Sequence, residues 1–487
     1  MRRILIIGLS LCAVSIYAAT KEKGIPDAPA AMHNSKGAPG DLDASFGKSG
    51  TVKTILEGDN AATGVVVQRD GKIVVVGSIG DYPNRDFLVA RYRTDGKLDR
   101  SFGDHGIVVT DFVGGEDEAA GVALQRDNKI VVVGLAWDVP TNTGDFAIER
   151  LNTDGSPDPS FGDSGQVLTD LGAFDSGADF DVANAVAIQR NGKIVVVGRA
   201  NGSTSTDMAV VRYDPDGRLD MSFGDGGIIT TDLEPGVVDE AGAVALLRNG
   251  KIVVAATTGA ELDFALVRYN RDGTLDDEFG DGGSVVTDFF GRTDVARGVA
   301  IQPNGRIVLV GTARGPLIFL FEYTADDFAL ARYLPDGSLD KTFGSDGKVT
   351  TDFFRGFDGA GSVALQRDGK IVAAGSAGPA PGGGDGGGFA LARYQKDGAL
   401  DLSFGTCGKV ITRGNDFSFT GALAVALQED GKIVAAGAAR GATDSEYALA
   451  RYLSGGEHDG HQEHNKIHDA DVLRAKRCTM PPGATSR

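Results

Sequence analysis

The chain ends in a histidine-rich segment whose spacing suits a metal site. His461, His464 and His468 are three and four residues apart, which would place them on one face of a helix, within reach of one transition-metal ion. Gly460 and Asn465 weaken such a helix, and short histidine tracts also bind metals adventitiously. Both interpretations stay open.

Acidic residues stand out in two places. The segment 171–181 is an acidic variable loop, and Asp175, Asp179 and Asp181 are candidate ligand-binding residues in it. Farther along, Asp214, Asp216 and Asp220 have a close spacing that resembles a calcium loop, although an Asp-Gly turn with one extra acid is the simpler interpretation. Calcium or a transition metal is therefore a candidate cofactor, and none is firmly predicted.

Catalysis has few candidate residues. His105 lies in a turn where other repeats carry Ser164 or Gly226, and no nucleophile accompanies it in the sequence. A carboxylate pair could be assembled from the loops, but no spacing selects one. No catalytic residue is predicted, and the sequence favours a protein that is not an enzyme.

Two charged residues recur in register. An arginine occurs in every repeat, at Arg91, Arg150, Arg212, Arg268, Arg332, Arg393 and Arg451. An aspartate occurs in five, at Asp111, Asp170, Asp232, Asp288 and Asp352, with Ile55 and Arg413 at the two ends. A site for an asymmetric ligand should break such symmetry, so we interpret both sets as framework ion pairs or turn contacts.

The element that positions these residues is a repeat of about 60 residues. Its motif, L-D-x-S-F-G with variants, begins at Leu42, Leu98, Pro157, Leu219, Leu275, Leu339 and Leu400. Each repeat holds four short apolar or alternating runs separated by turn residues, which predicts four strands. Asp-Gly or Asn-Gly pairs such as Asp70-Gly71 predict a tight hairpin between the second and third runs.

Seven such units predict an all-β fold, a seven-bladed β-propeller with four antiparallel strands per blade. The third run, for example 73–76, is apolar at consecutive positions, so both faces of the sheet need cover, and radial packing of blades supplies it. No eighth motif follows Leu453. We therefore expect the segment Leu42–Gly47 to dock on blade seven and close the ring.

The flanking segments differ from the repeats. Residues 1–19, with Arg2-Arg3, an apolar run and Ala18-Ala19, predict a signal peptide; residues 20–41 predict a linker, 42–453 the propeller, and 454–487 a polar tail. No later run would span a bilayer. We expect secretion to the periplasm, cell surface or medium, and lipidation of Cys12 stays open.

The net charge limits the kinds of partner, and the cysteines bear on disulfide formation. The net charge of −19 disfavours nucleic acid as a partner because the surface would repel phosphate backbones. Cys407 and Cys478 follow the predicted leader, and in an oxidising compartment they would form a disulfide that pins the tail to blade seven. Two unrelated thiols are the alternative.

The repeat units resemble a known bacterial family. The segments V-A-L-Q-R-D-G-K-I-V-A-A-G (363–375) and D-F-A-L-A-R-Y (327–333) are similar to the delta-60 repeat, and the resemblance covers nearly all of the chain outside its flanks. It implies a β-propeller-like repeat of exported or surface-associated bacterial proteins. It implies no activity and supplies no catalytic residue.

Two functions remain in view. The first is a secreted, non-enzymatic binding or scaffold propeller, a monomer that recognises a protein or glycan through its variable loops, because variable loops on a rigid scaffold commonly carry recognition. The predicted anchors are Trp137, Phe319, Phe321 and Tyr323, although a hairpin extension also explains the segment 317–323. The alternative is a carboxylate- or metal-dependent hydrolase or lyase that works in the axial channel. The sequence does not identify the ligand or the biological process.

Overall fold

The structure is a computed structural model that describes residues 37–172, 179–201, 205–318, 323–354, 356–379, 387–413, 418–441 and 444–455. The predicted signal peptide and most of the tail lie outside these residues. Within them the chain forms 29 β-strands. No helix in this part of the chain is long and apolar enough to cross a membrane.

The strands form seven antiparallel blades, which confirms the predicted fold class. The first strand of the chain is β1 (Thr51–Thr54), and blade one follows with β2 (Ala61–Val67), β3 (Ile73–Ile79), β4 (Asp86–Tyr92) and β5 (Ile107–Thr110). Blade two contains β6 (Glu116–Leu124), β7 (Ile130–Asp138), β8 (Thr143–Leu151) and β9 (Gln166–Thr169), and the short β10 (Asp179–Phe180) pairs with β8. Blade three contains β11 (Val182–Ile188), β12 (Ile194–Asn201), β13 (Thr206–Tyr213) and β14 (Ile228–Thr231).

The remaining four blades repeat this order. Blade four contains β15 (Glu240–Leu246), β16 (Ile252–Thr258), β17 (Asp263–Tyr269) and β18 (Ser284–Thr287). Blade five contains β19 (Asp294–Ile301), β20 (Ile307–Ile318), β21 (Tyr323–Tyr333) and β22 (Lys348–Thr351). Blade six contains β23 (Phe357–Leu365), β24 (Ile371–Gly378), β25 (Gly388–Tyr394) and β26 (Lys409–Thr412). Blade seven contains β27 (Ser418–Leu427), β28 (Ile433–Arg440) and β29 (Ser445–Tyr452), and β1 is its outermost strand.

The tight hairpin predicted from the Asp-Gly pairs is present in the blades. Between β2 and β3 the amide of Gln68 donates to the carbonyl of Lys72 at 2.8 Å, and Gly71 adopts a φ of 80°. A residue with a Cβ atom is strained at that φ, which explains the glycine.

The sequence repeat and the blade are offset by one strand. The run that follows each L-D-x-S-F-G motif was expected to begin a new sheet, yet β5 pairs with β4, the last strand before the motif. The motif folds back along the preceding strand, because Leu98 bridges to Tyr92 and the Arg91 amide donates to the carbonyl of Gly106. Each motif therefore builds the outer edge of the blade that precedes it.

The hydrophobic core lies between the blades. In the second strand of blade one, Ile73, Val74, Val75 and Val76 are all fully buried, so this strand is covered on both faces as predicted. Val74 and Val76 pack with Ile130 and Val132 of blade two, whereas Ile73 and Val75 pack with Val434 and Leu449 of blade seven. One such cluster occupies each of the seven interfaces, so the ring is closed by apolar packing.

The recurring arginine joins consecutive blades, in an arrangement that we call the arginine clamp. In blade three, Arg212 Nε lies 2.6 Å from Asp220 Oδ2, and the guanidinium lies 4.2 Å from the ring centroid of Phe223. Arg212 Nη1 also donates at 2.5 Å to the carbonyl of Arg271 in blade four. The clamp recurs at Arg91, Arg150, Arg268, Arg332, Arg393 and Arg451. The framework interpretation of this register is confirmed.

The N-terminal segment closes the ring, as predicted. Leu42 bridges to Tyr452, and Asp43 Oδ2 lies 2.8 Å from Arg451 Nη2 of blade seven. Residues that the sequence assigned to the linker also take part, since the Gly40 amide donates to the Leu453 carbonyl and the Pro39 carbonyl accepts from Gly405. In the other blades, a carbonyl of an Asp-Gly turn takes the place of the Pro39 carbonyl. For example, the Asp272 carbonyl accepts a hydrogen bond from the Gly224 amide.

Candidate functional site: the loop rim

The two rims of the ring differ in chemistry. We define the turn rim as the Asp-Gly hairpins together with the motif links, and the loop rim as the opposite edge. The loop rim comprises the connections between second and third strands, such as 80–85, and those between an outermost strand and the next blade, such as 111–115. Clamps and repeated turns occupy the turn rim, so variation falls on the loop rim.

Exposed apolar side chains concentrate on the loop rim. The loop rim carries Ile55, Tyr82, Val113, Val238, Phe290, Phe354 and Phe357. The outermost strands carry Val109, Leu168 and Val286, and the turn rim carries Met221 and Leu275. Every exposed aromatic side chain in this set is therefore on the loop rim, within the part of the chain that the structure describes.

Trp137 is on the loop rim but is buried. It is the penultimate residue of β7 and is 6% exposed, and its ring centroid lies 5.4 Å from that of Phe180 and 6.2 Å from that of Tyr82. Tyr82 is 54% exposed. The predicted anchor thus supports a more exposed tyrosine, which no motif in the sequence distinguishes.

An ion pair lies beside this aromatic group. Arg85, in the same loop as Tyr82, has its Nη1 3.0 Å from Glu116 Oε1 and 2.5 Å from Glu118 Oε1. Glu116 is almost fully buried, and burial is the largest cause that raises its pKa, with the charge of Arg85 opposing it. The loop therefore combines an exposed aromatic ring with a cation held close to two acids.

The structure places few of the other predicted site residues. Phe319, Phe321, Asp175, Cys478, His461, His464 and His468 lie outside the described residues. Tyr323 begins β21 and pairs with Ile318, so the described ends of this segment extend the strands β20 and β21 of blade five. Asp179 begins β10. Cys407 is disulfide-bonded in the turn before β26, which belongs to blade six and not to blade seven as predicted, and its pairing with Cys478 stays a prediction.

Asp181 is a buried structural group and not an exposed ligand. Its Oδ2 accepts the amide of Leu171 at 2.8 Å, and its Oδ1 accepts the amide of Asn201 at 3.1 Å. The carboxylate therefore ties two loop-rim segments together. Its sequence context, an acidic loop, could not show this because both donors are backbone groups.

The calcium-like group at 214–220 is occupied by cations of the protein itself. Lys193 Nζ lies 2.8 Å from Asp214 Oδ1 and 2.6 Å from Asp220 Oδ2, and Asp220 also pairs with Arg212. The simpler interpretation, an Asp-Gly turn with an extra acid, agrees with these contacts. His105 is an exposed turn residue with a φ of 55° beside Asp104.

Three acidic groups on the loop rim could hold a metal ion. We call them triad A (Asp86, Asp111, Asp117), triad B (Asp263, Asp288, Asp294) and triad C (Asp327, Asp352, Asp358). In each, one carboxylate oxygen per residue lies within 4.8 Å of the other two. Each triad combines the third strand of one blade, the residue after its outermost strand, and the innermost strand of the next blade.

The innermost aspartate of each triad has an unusual protonation equilibrium. Burial is the largest cause that raises the pKa of Asp117 to about 7, and the charges of Asp111 and Asp86 add to it while the Phe112 amide opposes it. Burial is also the largest cause that raises the pKa of Asp294 to about 6 and that of Asp358 to about 7, and the charges of the other two aspartates in each triad add to it. The sequence showed one of the three registers as recurrent but not the cluster, because strand pairing brings the three segments together.

Comparison with known proteins agrees with this architecture. The family profile described as "Domain of unknown function (DUF5122) beta-propeller" matches residues 68–102, 125–161, 189–223, 247–279, 318–343, 366–404 and 428–459. A search of curated proteins finds no match.

The search of solved structures finds similar chains at low identity. The polysaccharide lyase Uly1 is 12% identical, with a TM-score of 0.47 over 81% of this chain and 90% of that one. Sqt1 from Chaetomium thermophilum is 11% identical, with a TM-score of 0.38 over 83% and 85%. An alpha-L-arabinanase from Penicillium chrysogenum is 13% identical, with a TM-score of 0.40 over 68% and 91%. These similarities are too low to carry a functional argument. The profile matches, one in each blade, identify the chain as a β-propeller repeat protein.

Proposed function

We propose that this protein is an exported, non-enzymatic binding propeller that recognises an extracellular protein or glycan through its loop rim. The observation that carries the proposal is the one-sided distribution of exposed aromatic rings: Tyr82, Phe290, Phe354 and Phe357 all lie on the loop rim. Aromatic side chains bury a large apolar area in an interface and often dominate its affinity. Exposed apolar groups that cluster on one edge are therefore expected to contact a ligand.

The opposite rim supplies the contrast. Its residues form the arginine clamps, whose charged groups are already paired within the ring. Its exposed apolar side chains, Met221 and Leu275, are aliphatic and lie on neighbouring blades. A ligand that binds this protein specifically has more distinctive chemistry to contact on the loop rim.

The test is a binding screen with matched variants. The chain without its predicted signal peptide would be screened against arrays of extracellular glycans and peptides. Each ligand found would be titrated against a loop-rim variant, Tyr82→Ser/Phe290→Ser/Phe354→Ser, and a turn-rim variant, Met221→Ser/Leu275→Ser.

We expect the loop-rim variant to lose at least tenfold in affinity, since each removed anchor is worth on the order of 2 kcal/mol. The turn-rim variant should bind like the parent. The proposal is wrong if the turn-rim variant alone loses binding, or if the protein converts its ligand into product, which would favour the hydrolase or lyase alternative.

A further inference from the structure

The same three aspartate registers occur at five consecutive blade interfaces, from one/two to five/six. The third strand begins near Asp86, Asp145, Asp207, Asp263 and Asp327, and the innermost strand of the next blade begins at or near Asp117, Asp181, Asp239, Asp294 and Asp358. Between them lies the aspartate that follows each outermost strand. In the described part of the chain, the three carboxylates converge to within 4.8 Å at three of these interfaces, which gives triads A, B and C.

Among the described residues, the innermost carboxylate of each triad has one oxygen without a hydrogen-bond partner. Asp117 Oδ2 accepts the Phe112 amide at 2.6 Å, but its Oδ1 has no partner in this part of the chain, although the residue is 0% exposed. Asp294 and Asp358 repeat this arrangement with the amides of Phe289 and Phe353. A buried carboxylate oxygen without a partner is costly, so a water molecule or an ion is expected to contact it.

The other two interfaces provide an internal comparison. Asp239 Oδ1 accepts the hydroxyl of Thr258, and Asp181 Oδ1 accepts the Asn201 amide. At these interfaces, as far as the chain is described, the three aspartates do not form a compact group. The Oδ1 atom thus lacks a partner where the three carboxylates converge. Where they do not converge, a hydroxyl or amide of the protein donates to it.

Within the described residues, none of the six carboxylates of triads A and B forms an ion pair with lysine or arginine. Beside triad B, Lys348 Nζ donates at 3.0 Å to the main-chain carbonyl of Asp288 and not to its carboxylate. Arg85 is adjacent to Asp86 in sequence, but it pairs with Glu116 and Glu118. Three mutually close carboxylates without a counter-charge repel one another, and a bound cation removes that repulsion.

We propose that each of the three triads binds one calcium ion at the loop-rim end of a blade interface. Calcium takes oxygen ligands at 2.3 to 2.6 Å, so two ligands of one ion lie up to about 5 Å apart, which the triads satisfy. The outermost aspartate of each triad is exposed, which gives the ion access from solvent and leaves room for water ligands. Calcium is favoured over zinc because every ligand is a hard carboxylate oxygen.

The bound ion would join two blades and order the loop rim. The turn after each exposed aspartate carries an exposed apolar residue: Val113 in triad A, Phe290 in triad B and Phe354 in triad C. The Asp117, Asp294 and Asp358 carboxylates already hold the amide preceding that residue. Calcium would therefore stabilise the conformation of the turns that present these side chains, whatever ligand the rim binds.

The test is calcium titration of the full chain after removal of metals with a chelator. We expect about three ions per chain by equilibrium dialysis, together with a rise in melting temperature on calcium addition. Asp117→Asn, Asp294→Asn and Asp358→Asn should each remove one ion, because asparagine keeps the oxygen that accepts the amide but lacks the charge. The matched control is Asp239→Asn, which occupies the same register with a satisfied oxygen and should leave the stoichiometry unchanged.

A folding defect is separated from loss of a ligand by the melting temperature in chelator, where each asparagine variant should melt at or above the parent. Asp111→Asn and Asp288→Asn change exposed ligands and should give the same loss of one ion each. Imidazole ligands in the tail prefer transition metals, so calcium alone is the probe. Absence of calcium binding at millimolar concentration, or unchanged stoichiometry in the Asp117→Asn/Asp294→Asn/Asp358→Asn variant, would overturn the proposal.

Discussion

Thr110 Oγ1 donates a 2.6 Å hydrogen bond to Glu149 Oε1 across the interface between blades one and two. At the other six interfaces the threonine in this register pairs with a tyrosine hydroxyl of the next blade: Thr54–Tyr92, Thr169–Tyr213, Thr231–Tyr269, Thr287–Tyr333, Thr351–Tyr394 and Thr412–Tyr452. Leu151 stands in the tyrosine position of blade two, so a carboxyl group two residues earlier takes the place of the phenol.

This replacement should make the stability of the protein depend on pH. Burial raises the pKa of Glu149 to about 7 from its usual 4.5, with the Thr110 hydrogen bond opposing the shift. Because the folded state then binds the proton more tightly than the unfolded state, Glu149 contributes stability below pH 4.5 that is lost as the pH rises to 7. Glu149→Gln should remove that loss, which amounts to at most about 3 kcal/mol.

The measurement is urea unfolding of the parent and Glu149→Gln between pH 5 and pH 8 in the presence of chelator. The parent should lose stability relative to the variant across this range. Parallel curves for the two proteins would show that Glu149 titrates normally.

The tyrosine of the other blades should substitute for the glutamate. Glu149→Ala alone leaves the Thr110 hydroxyl without its partner, and Glu149→Ala/Leu151→Tyr restores the contact seen at six interfaces. We expect the double variant to be more stable than Glu149→Ala by about 1 kcal/mol at pH 8, the typical net value of a buried hydrogen bond. Equal unfolding midpoints for the two variants would contradict this compensation.

A buried arginine of the clamp should contribute more to the free energy of unfolding than an exposed arginine of the same blade. Arg212→Ala removes the ion pair with Asp220 and the hydrogen bond to the Arg271 carbonyl, so it should lower the free energy of unfolding by roughly 3 kcal/mol. Arg218→Ala is the control, since this exposed arginine of the same blade lies 3.4 Å from the exposed Asp216 and should contribute less than about 1 kcal/mol. Denaturant unfolding of both variants tests the difference, and similar losses would mean that the clamp is dispensable.

The turn rim was predictable from sequence because its residues recur in one contiguous motif. The counterparts of Arg212, Asp220 and Phe223 recur in the other repeats. The framework interpretation followed from that symmetry. The triads were not predictable, since Asp86 and Asp111 are 25 residues apart and meet only through pairing of β4 with β5. Trp137 was predicted as a ligand anchor because its loop is variable, but it is buried, and Phe180 of the next connection packs on it.

Cys407 should pair with Cys478. Cys407 is disulfide-bonded and occupies a turn position that other repeats fill with His105 or Asp346. Peptide mapping without reduction should yield one cross-linked peptide that contains both cysteines. Cys407→Ser and Cys478→Ser should each make the tail more sensitive to protease, and a map that shows either cysteine as a free thiol would contradict the pairing.

Closure of the ring should depend on Asp43 more than an internal blade depends on the equivalent aspartate. Asp43 accepts hydrogen bonds from Ser45 and Arg451 and lies near Lys432, while Asp220 makes the same contacts with Ser222, Arg212 and Lys193. Asp43→Ala and Asp220→Ala should therefore lose the same local hydrogen bonds and ion pairs.

The two variants differ in chain connectivity. The strand that follows Asp220, β14, is joined to blade three by the chain itself, whereas β1 is held on blade seven by non-covalent contacts. Loss of Asp43 should let β1 detach without global unfolding, so the amides of β1 should exchange with solvent faster than those of the core strands β3 and β28. In Asp220→Ala, the amides of β14 should instead exchange at the same rate as the rest of blade three. Hydrogen exchange resolved by peptide tests this directly, and equal protection of β1 and β14 in the two variants would show that the ring closes independently of Asp43.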